Sequence, residues 1–442
     1  MSGTLQASLH PEQGERTLRR WKGFAPREIS AICHEEMVEL HASEAAFLWT
    51  RRATAVIAPN YRLKDLILLD ARLEAHLDGL RTSGEKGWEK CVSALDTPGS
   101  GEIFAAGVLA CERHDSERME QVVKLALDAP EWQRSWISAL GWLSFSEAIP
   151  VLKALLEEST PEMRRLGVAG ACAQRWDMGP HLEPALSDND APLRACAMEG
   201  VGLLARTDLL PKVQHALTDG DERCRFAAAW TLVRLGQRAG PALSMLQDFS
   251  NSAGPFSRRA LSMALRCLPQ SQATAWYSRL REAPQTRRLA AMAAGVLGAP
   301  EHMQDLLAWM NDPAAAREAG EAFSLLTGAD LTWEELDGDA LQQDGTEEDE
   351  AIAKESEDLP WPDAEKVTAW WRNHQSDFSR GTRYLVGKPI SDAHLRDVLR
   401  QGTQRQRAAA ALEWGIRKPH VSLFEVRAPG PIQARRLDSW TS

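Results

Sequence analysis

The chain has 442 residues, of which 44% are hydrophobic, so it can bury a sizeable core and has the length of roughly two to four domains. Its formal net charge is −11, but residues 330–358 alone carry −12, which leaves the rest near +1 and disfavours a nucleic-acid-binding protein. No apolar run approaches the roughly 18 residues of a membrane span, no secretory leader is visible, and the seven cysteines are scattered singly. We therefore expect a cytoplasmic protein with reduced thiols and no membrane contact.

Residues 1–95 predict an N-terminal helical cap. Two long helical patterns, EMVELHASEAAFLWTRRATAV and RLKDLILLDARLEAHLDGL, are separated by a break at Asn60 and followed by RTSGEKG. Neither pattern follows the spacing of the segment that comes next. We expect these helices to cover the apolar face at one end of that segment.

Residues 96–328 carry a repeat with a period near 30 residues. Arginines recur at Arg134, Arg164, Arg194, Arg225, Arg258, Arg287 and Arg317, and prolines at Pro150, Pro180, Pro211 and Pro241. A fixed period of this size is typical of stacked repeat arrays. Each unit reads as two short helices joined by a Gly- and Asp-containing turn, and helices this short must bury their faces on neighbouring units. The pattern predicts an all-α, right-handed solenoid of helix pairs.

This unit resembles the HEAT repeat, which has a proline in its first helix, an aspartate in the turn and an arginine in its second helix. Pro211, Asp219 and Arg225 match that pattern. The resemblance implies a structural ladder of acids and arginines between repeats, which would comprise Asp128, Arg134, Glu158, Arg164, Asp188, Arg194, Asp219 and Arg225. We also expect each acid to cap the second helix. An arginine stripe that grips phosphate is the alternative.

The second helices of HEAT arrays line the concave surface, which predicts where a protein partner binds. Core positions are filled by residues such as Ala228 and Leu232, so the side chains expected to point outward are Glu199, Arg206, Trp230 and Arg234. Tryptophan and arginine are the residue types most enriched at binding hot spots. The competing interpretation is that Trp230 packs between repeats.

Residues 329–360 form an acidic segment with few large apolar residues, which predicts a disordered linker. We expect residues 330–358 to be dispensable for folding. An arm that meets a basic partner, or that covers the protein's own binding face, is the alternative.

Residues 361–442 predict a C-terminal helical module with an extended tail. Ser391 is a good N-cap for a helix that ends at Gly402, and VSLFEVRAPGPIQ reads as extended. Trp370 and Trp371 are neighbours on a helix and rarely would both face one core, so we expect one in the core and one at its edge. An aromatic hot spot for a partner is the alternative.

Five segments carry a more specific resemblance. HASEAAFLWTRRATAV, LDARLEAHLDGL, TRYLVGKPI, RAAAALEWGI and LFEVRAPGP are similar to parts of an uncharacterised bacterial HEAT-like family whose members are often encoded near type VI secretion genes. The resemblance covers nearly the whole chain. It implies a protein-binding scaffold or adaptor, in its most concrete form a type VI secretion accessory protein, and implies no catalytic residue.

Catalytic and metal-binding patterns are weak. Cys33, His34, Glu35, Glu36 and His41 bring ligand types together, but the two histidines lie about 10 Å apart along a helix, too far to share one zinc ion. A single His–Glu pair also falls short of the di-iron HEAT-repeat enzymes. We expect no enzyme and no cofactor. The alternative is a HEAT-like enzyme or nucleic-acid-binding protein of the DNA glycosylase type, which would need a continuous basic cleft containing a buried aspartate.

Overall fold

The computed structural model describes residues 35–252, 254–340 and 356–441. Almost all of the regular structure in these ranges is helical, and one antiparallel hairpin pairs Tyr384–Leu385 (β1) with Lys388–Pro389 (β2). The described part of the chain begins with α1 (Glu35–Ala55) and α2 (Leu63–Thr82), which pack on each other and on the first helix pair. Cys33 and His34 lie outside the described residues.

Eight helix pairs follow. In chain order they are α3 (Glu85–Ala94) with α4 (Ser100–Glu112), α5 (Ser116–Ala126) with α6 (Pro130–Trp142), α7 (Phe145–Glu157) with α8 (Pro161–Gln174), α9 (Leu182–Ala185) with α10 (Ala191–Leu204), α11 (Leu210–His215) with α12 (Glu222–Arg234), α13 (Pro241–Asn251) with α14 (Ser257–Cys267), α15 (Gln270–Glu282) with α16 (Arg287–Leu297), and α17 (Met303–Trp309) with α18 (Ala316–Thr327). The predicted all-α solenoid is confirmed, and the predicted boundary at residue 95 separates α3 from its partner α4.

Each second helix packs on the second helix of the next unit, as α10 does on α12 and α16 on α18. Their apolar faces join into one buried cluster that runs from Val38 in α1 to Ile416 near the C-terminus. Prolines at the first turn begin several of these helices, including Pro130 and Pro161, where a missing N–H costs no hydrogen bond. The array is therefore stabilised by stacking between units, because no single pair encloses a core of its own.

The C-terminal module consists of α19 (Ala364–His374), the hairpin, α20 (Asp392–Gln401), α21 (Gln404–Arg417), an extended tail (residues 418–429), and α22 (Gly430–Asp438). The predicted N-cap is present, since Ser391 Oγ accepts the His394 N–H at 3.2 Å. This module has a smaller apolar cluster of its own, which includes Leu395, Phe424 and Leu437.

The two ends of the array meet. Arg62, in the turn between α1 and α2, lies 3.4 Å from the carboxylate of Asp330, which follows α18. The Gln404 N–H donates to the Tyr61 carbonyl at 2.7 Å, so α21 begins against the same turn. The C-terminal module thus bridges the first and last parts of the solenoid.

The acidic segment differs from the prediction of a disordered linker over 329–360. Leu331, Leu336 and Leu359 are buried in the core, and Ser356 is fully enclosed. These sparse apolar side chains anchor both ends of the segment despite its charge, so we expect its removal to expose the core and to lower stability. Residues 341–355 lie outside the described residues.

Candidate interaction surfaces

The inner face is the surface formed by the second helix of each pair, that is, by the even-numbered helices from α4 to α18. The protein's own C-terminal module lies on this face. Leu423 N–H donates to the Leu203 carbonyl at 2.9 Å, and Arg175 Nε donates to the Leu423 carbonyl at 2.7 Å. Farther along, the Val386 N–H donates to the Leu325 carbonyl at 2.6 Å. The contacts reach from α8 to α18, so much of the surface predicted to receive a partner is already covered.

Two of the four residues that were predicted to bind a partner on this face are buried. Arg234 was expected to point outward but has a relative exposure of 0%. Trp230 is also buried and lies against Gly202 of the preceding unit, as the competing interpretation of packing between repeats predicts. Arg234 Nη2 donates to the Val421 carbonyl at 2.6 Å, in the tail. Burial and the nearby Arg175 lower the pKa of Arg234 to about 10. Arg234 is covered by residues nearly two hundred positions later in the chain, which its own helix does not reveal.

The other two predicted residues on this surface form ion pairs within the chain. Glu199 lies 2.9 Å from Arg259, and Arg206 bridges Asp177 at 2.7 Å and Asp208 at 2.8 Å. The Glu199–Arg259 pair thus links α10 to α14 across the unit between them, and the structure does not gather the four residues into one open patch.

The predicted ladder of acids and arginines exists in the middle of the array. Arg164 pairs with Asp188 at 2.7 Å, and Arg194 pairs with Asp219 at 2.9 Å. Each arginine also donates to two carbonyls in the turn of its own unit, as Arg225 does to Asp219 and Gly220. An arginine therefore ties its own turn to the acid of the next unit.

Some details of the ladder differ from the prediction. Asp219 pairs with Arg194 of the preceding unit rather than with Arg225, and its carboxylate accepts the Asp221 N–H within the turn. The helix N-caps are Asp190 and Asp221, two residues later than expected. In the second and third helix pairs, Asp128, Arg134 and Glu158 are all exposed, and no ion pair joins Arg134 to Glu158 among the described residues.

We predict that Asp219→Asn lowers the free energy of unfolding by about 1–3 kcal/mol, between the values for exposed and buried pairs. The hydrogen bond from Arg194 lowers the pKa of Asp219. The ionised Asp219 carboxylate therefore stabilises the folded state in full above the ordinary aspartate pKa of about 3.9. This stabilisation is lost as the pH falls through the lowered pKa of Asp219 in the folded protein. Denaturant titrations should show a constant difference at neutral pH that shrinks below about pH 4.

The control is Asp208→Asn, which removes a carboxylate that also pairs with an arginine but is 60% exposed. We expect a loss of only about 0–1 kcal/mol. Equal losses for the two variants would contradict a structural role for the ladder.

Trp370 and Trp371 in α19 both have intramolecular partners. Trp371 is buried, whereas Trp370 is half-buried and donates from Nε1 to Glu334 Oε2 at 2.7 Å. Trp370 also stacks on His374 with ring centroids 3.9 Å apart. One ring thus faces the core and the other lies at its edge.

Sequence reasoning missed Trp333. Its side chain is 85% exposed, more than any other large apolar side chain in the described part of the chain. It projects from the acidic turn, defined here as residues 330–340, which contains five acidic residues and no basic residue. An exposed tryptophan on a highly charged turn could have been suspected from the sequence only if the turn had been known to be ordered.

The helix pairs can now be compared with known proteins. Residues 179–266 match the family model described as HEAT repeats. The chain carries HEAT-like repeats. Such repeats commonly bind protein partners, which at a general level indicates a protein-interaction scaffold. No curated protein matches the chain.

The described residues contain neither a membrane-spanning helix nor a metal-binding cluster. No helix among them is both long and apolar enough to cross a bilayer. Within residues 35–252, 254–340 and 356–441, no three His, Cys, Asp or Glu side chains gather as a metal would require.

Proposed function

We propose that the protein is a non-enzymatic scaffold that binds another protein through the acidic turn, with Trp333 as the central contact. The observation that carries the proposal is the 85% exposure of Trp333 on an ordered turn. Exposed tryptophans are costly in solution and dominate the binding energy of many interfaces.

The acidic turn is held rigidly, which favours recognition. Leu331 and Leu336 anchor it in the core, and the Leu336 N–H donates to the Leu331 carbonyl at 2.7 Å. The Asp363 N–H donates back to the Leu336 carbonyl at 2.8 Å, which ties the turn to the start of α19. Because Trp333 is presented by a fixed backbone, a partner pays little conformational entropy to bind it.

Charge indicates the class of partner. Glu335 and Asp339 are exposed on the acidic turn, and the sequence that follows is acidic as far as residue 358. A partner segment containing arginine or lysine would pair with these carboxylates and place a cation over the indole ring of Trp333. We therefore propose a basic segment of a protein as the ligand.

The competing function, an enzyme or DNA-binding protein that uses the inner face, receives less support. The C-terminal module covers much of that face, so a nucleic-acid duplex would meet the chain's own tail. The fully buried aspartate that we identify, Asp70, is engaged by Arg52 at 2.6 Å.

The finer role rests on sequence resemblance. We propose that the scaffold acts as a type VI secretion accessory protein in a bacterial cytoplasm, which is supported by the five segments similar to a family often encoded near type VI secretion genes. Deletion of the gene should lower type VI-dependent secretion, and restoration of the wild-type gene should recover it. Unchanged secretion would reject this role while leaving the binding surface untested by that assay.

The binding surface is tested by site-specific photo-crosslinking in the source organism. A photo-reactive amino acid placed at the exposed Thr332 should give a covalent adduct with one protein that has a basic segment, and the same probe at the exposed Phe145 should not. Mass spectrometry of the adduct identifies the partner and the segment. The same adduct yield from both positions, or none from Thr332, would contradict the proposal.

The identified partner then permits a quantitative prediction. Trp333→Ala should weaken its binding by at least about 2 kcal/mol, as loss of a hot-spot tryptophan does. Leu68→Ala is the matched control, because Leu68 is 67% exposed and lies on α2, away from the acidic turn. Isothermal titration calorimetry should show the loss for the first variant alone, and a weaker affinity at higher salt. A Trp333→Ala protein that binds at full strength would exclude this surface.

A further inference from the structure

A cavity of about 610 Å³ lies between the inner face and the C-terminal module. Its floor is formed by residues of α10, α12, α14, α16 and α18, and its roof by α21 and the tail. Ala408 and Arg427 line it and are exposed, so the cavity opens to solvent on the side of the C-terminal module. Its volume falls in the range of about 300–1,000 Å³ that is typical of small-molecule sites.

The walls of the cavity are largely apolar. Trp230, Met292 and Val296 come from the second helices, and Leu412 and Phe424 come from the roof. Met292, Val296 and Leu412 are only partly buried, so apolar surface remains available inside the cavity. A ligand with an apolar body would remove this surface from water, which stabilises binding in proportion to the area covered.

The charges around the cavity are unequal. Six arginines line it against three glutamates, namely Arg175, Arg258, Arg259, Arg266, Arg405 and Arg427 against Glu318, Glu321 and Glu425. Two further carboxylates reach these arginines from outside the lining, since Glu199 pairs with Arg259 and Glu413 with Arg266. The six lining arginines thus face five carboxylates, and two of these, Glu318 and Glu413, are shared with Arg288 and Arg383 from outside the lining. Positive charge is therefore in excess.

Among the lining arginines, Arg427 differs from the other five in its pairing. The other five arginines each lie within an ion-pair distance of one of these carboxylates, such as 2.9 Å for Arg405 and Glu321. Arg427 has no ion-pair partner among the described residues, although its backbone carbonyl accepts a hydrogen bond from Arg52. Its guanidinium is thus available to a ligand at the mouth of the cavity, and its five N–H donors suit a carboxylate or phosphate group.

We propose that this cavity binds an amphipathic anion, a small molecule with one carboxylate or phosphate head group and an apolar chain. The head group is held at the mouth by Arg427, and the chain lies against Trp230, Met292 and Leu412. A cationic amphiphile of the same length meets the excess positive charge and is rejected. The site is separate from the acidic turn, so the inference does not depend on the proposed partner surface.

Calorimetric titration with three probes of equal chain length tests the ligand class. Decyl phosphate and decanoate are expected to bind, and decyltrimethylammonium is expected to bind at least about tenfold more weakly. A difference between the two anions distinguishes a phosphate site from a carboxylate site, and binding of either anion in preference to the cation supports the proposal. Failure of both anions to bind, or equal binding of the cation, overturns it.

Three variants test the place of binding with decyl phosphate. Arg427→Ala removes the cation at the mouth and should weaken binding about tenfold, whereas Arg279→Ala removes an exposed arginine from α15 and should leave it unchanged. Ala408→Trp places an indole ring in the open part of the cavity and should also weaken binding about tenfold or more. Thermal melting confirms that each variant is folded. Full-strength binding by folded Arg427→Ala and Ala408→Trp proteins would place the ligand elsewhere and reject the site.

Discussion

Asp70→Ala is expected to lower the free energy of unfolding by about 3–5 kcal/mol. Asp70 in α2 and Arg52 in α1 are 2% and 4% exposed, and Arg52 Nε lies 2.6 Å from Asp70 Oδ1. The same carboxylate accepts the Gly430 N–H at 2.6 Å, and Arg52 Nη2 donates to the carbonyls of Arg427 and Ala428. Removal of the carboxylate leaves a buried guanidinium without its counter-ion and frees the tail from the cap.

The tail cannot easily readjust around this loss. A Cβ at Gly430 would stand 2.7 Å from Ile67 Cγ1, so the chain passes α2 at a distance that only glycine permits. Chemical denaturation measures the effect, and Asp78→Ala is the control, because its carboxylate is 67% exposed although it also pairs with an arginine. We expect about 0–1 kcal/mol for the control. Comparable losses for Asp70 and Asp78 would show that the tail is not anchored to α2.

Glu413→Ala is expected to cost a similar amount, about 3–5 kcal/mol. Glu413 in α21 is 5% exposed and lies 3.2 Å from Arg266 in α14 and 2.6 Å from Arg383 before the hairpin. Burial lowers the pKa of Arg266, but the carboxylate opposes that effect. Without Glu413, two cations face each other beneath α21, and the module separates from the inner face at lower denaturant concentration.

Asp392→Ala is the matched control for this second prediction. Asp392 also lies in the C-terminal module and also pairs with two cations, Arg417 at 2.8 Å and Lys418 at 2.8 Å, but its side chain is 36% exposed. Solvent already screens these charges, so we expect a loss of about 0–1 kcal/mol. A Glu413 variant no less stable than the Asp392 variant would contradict a buried ionic contact between α21 and α14.

The sequence contains enough information to predict the helix pairs, because their spacing is a local property. The arginine and proline columns recur every 30 residues or so, and the ladder of Arg164–Asp188 and Arg194–Asp219 follows from that period. The N-cap at Ser391 is local in the same sense. Ladder pairs and helix caps can be predicted because each depends on a residue type that stands a fixed number of positions from the start of a helix.

The cover over the inner face could not be predicted in this way. Helical periodicity places Arg234 on a face of α12, but the segment that covers it contains Val421, nearly two hundred residues later in the chain. The acidic segment presents a related difficulty, because its composition is that of a disordered chain while Leu331 and Leu336 are enough to anchor one end. The site residue Trp333 was missed for the same reason.

The central claim, that the C-terminal tail closes the inner face and meets the N-terminal cap, is tested most directly by hydrogen–deuterium exchange of the full-length protein. The decisive amides are Leu423, bonded to the Leu203 carbonyl, Gly430, bonded to Asp70, and Gln404, bonded to the Tyr61 carbonyl. We expect these amides to exchange as slowly as those of the buried helix α12, because opening them requires the tail to leave the array. Exchange of these three amides at the rate of an unstructured peptide, with α12 still protected, would contradict the closed arrangement.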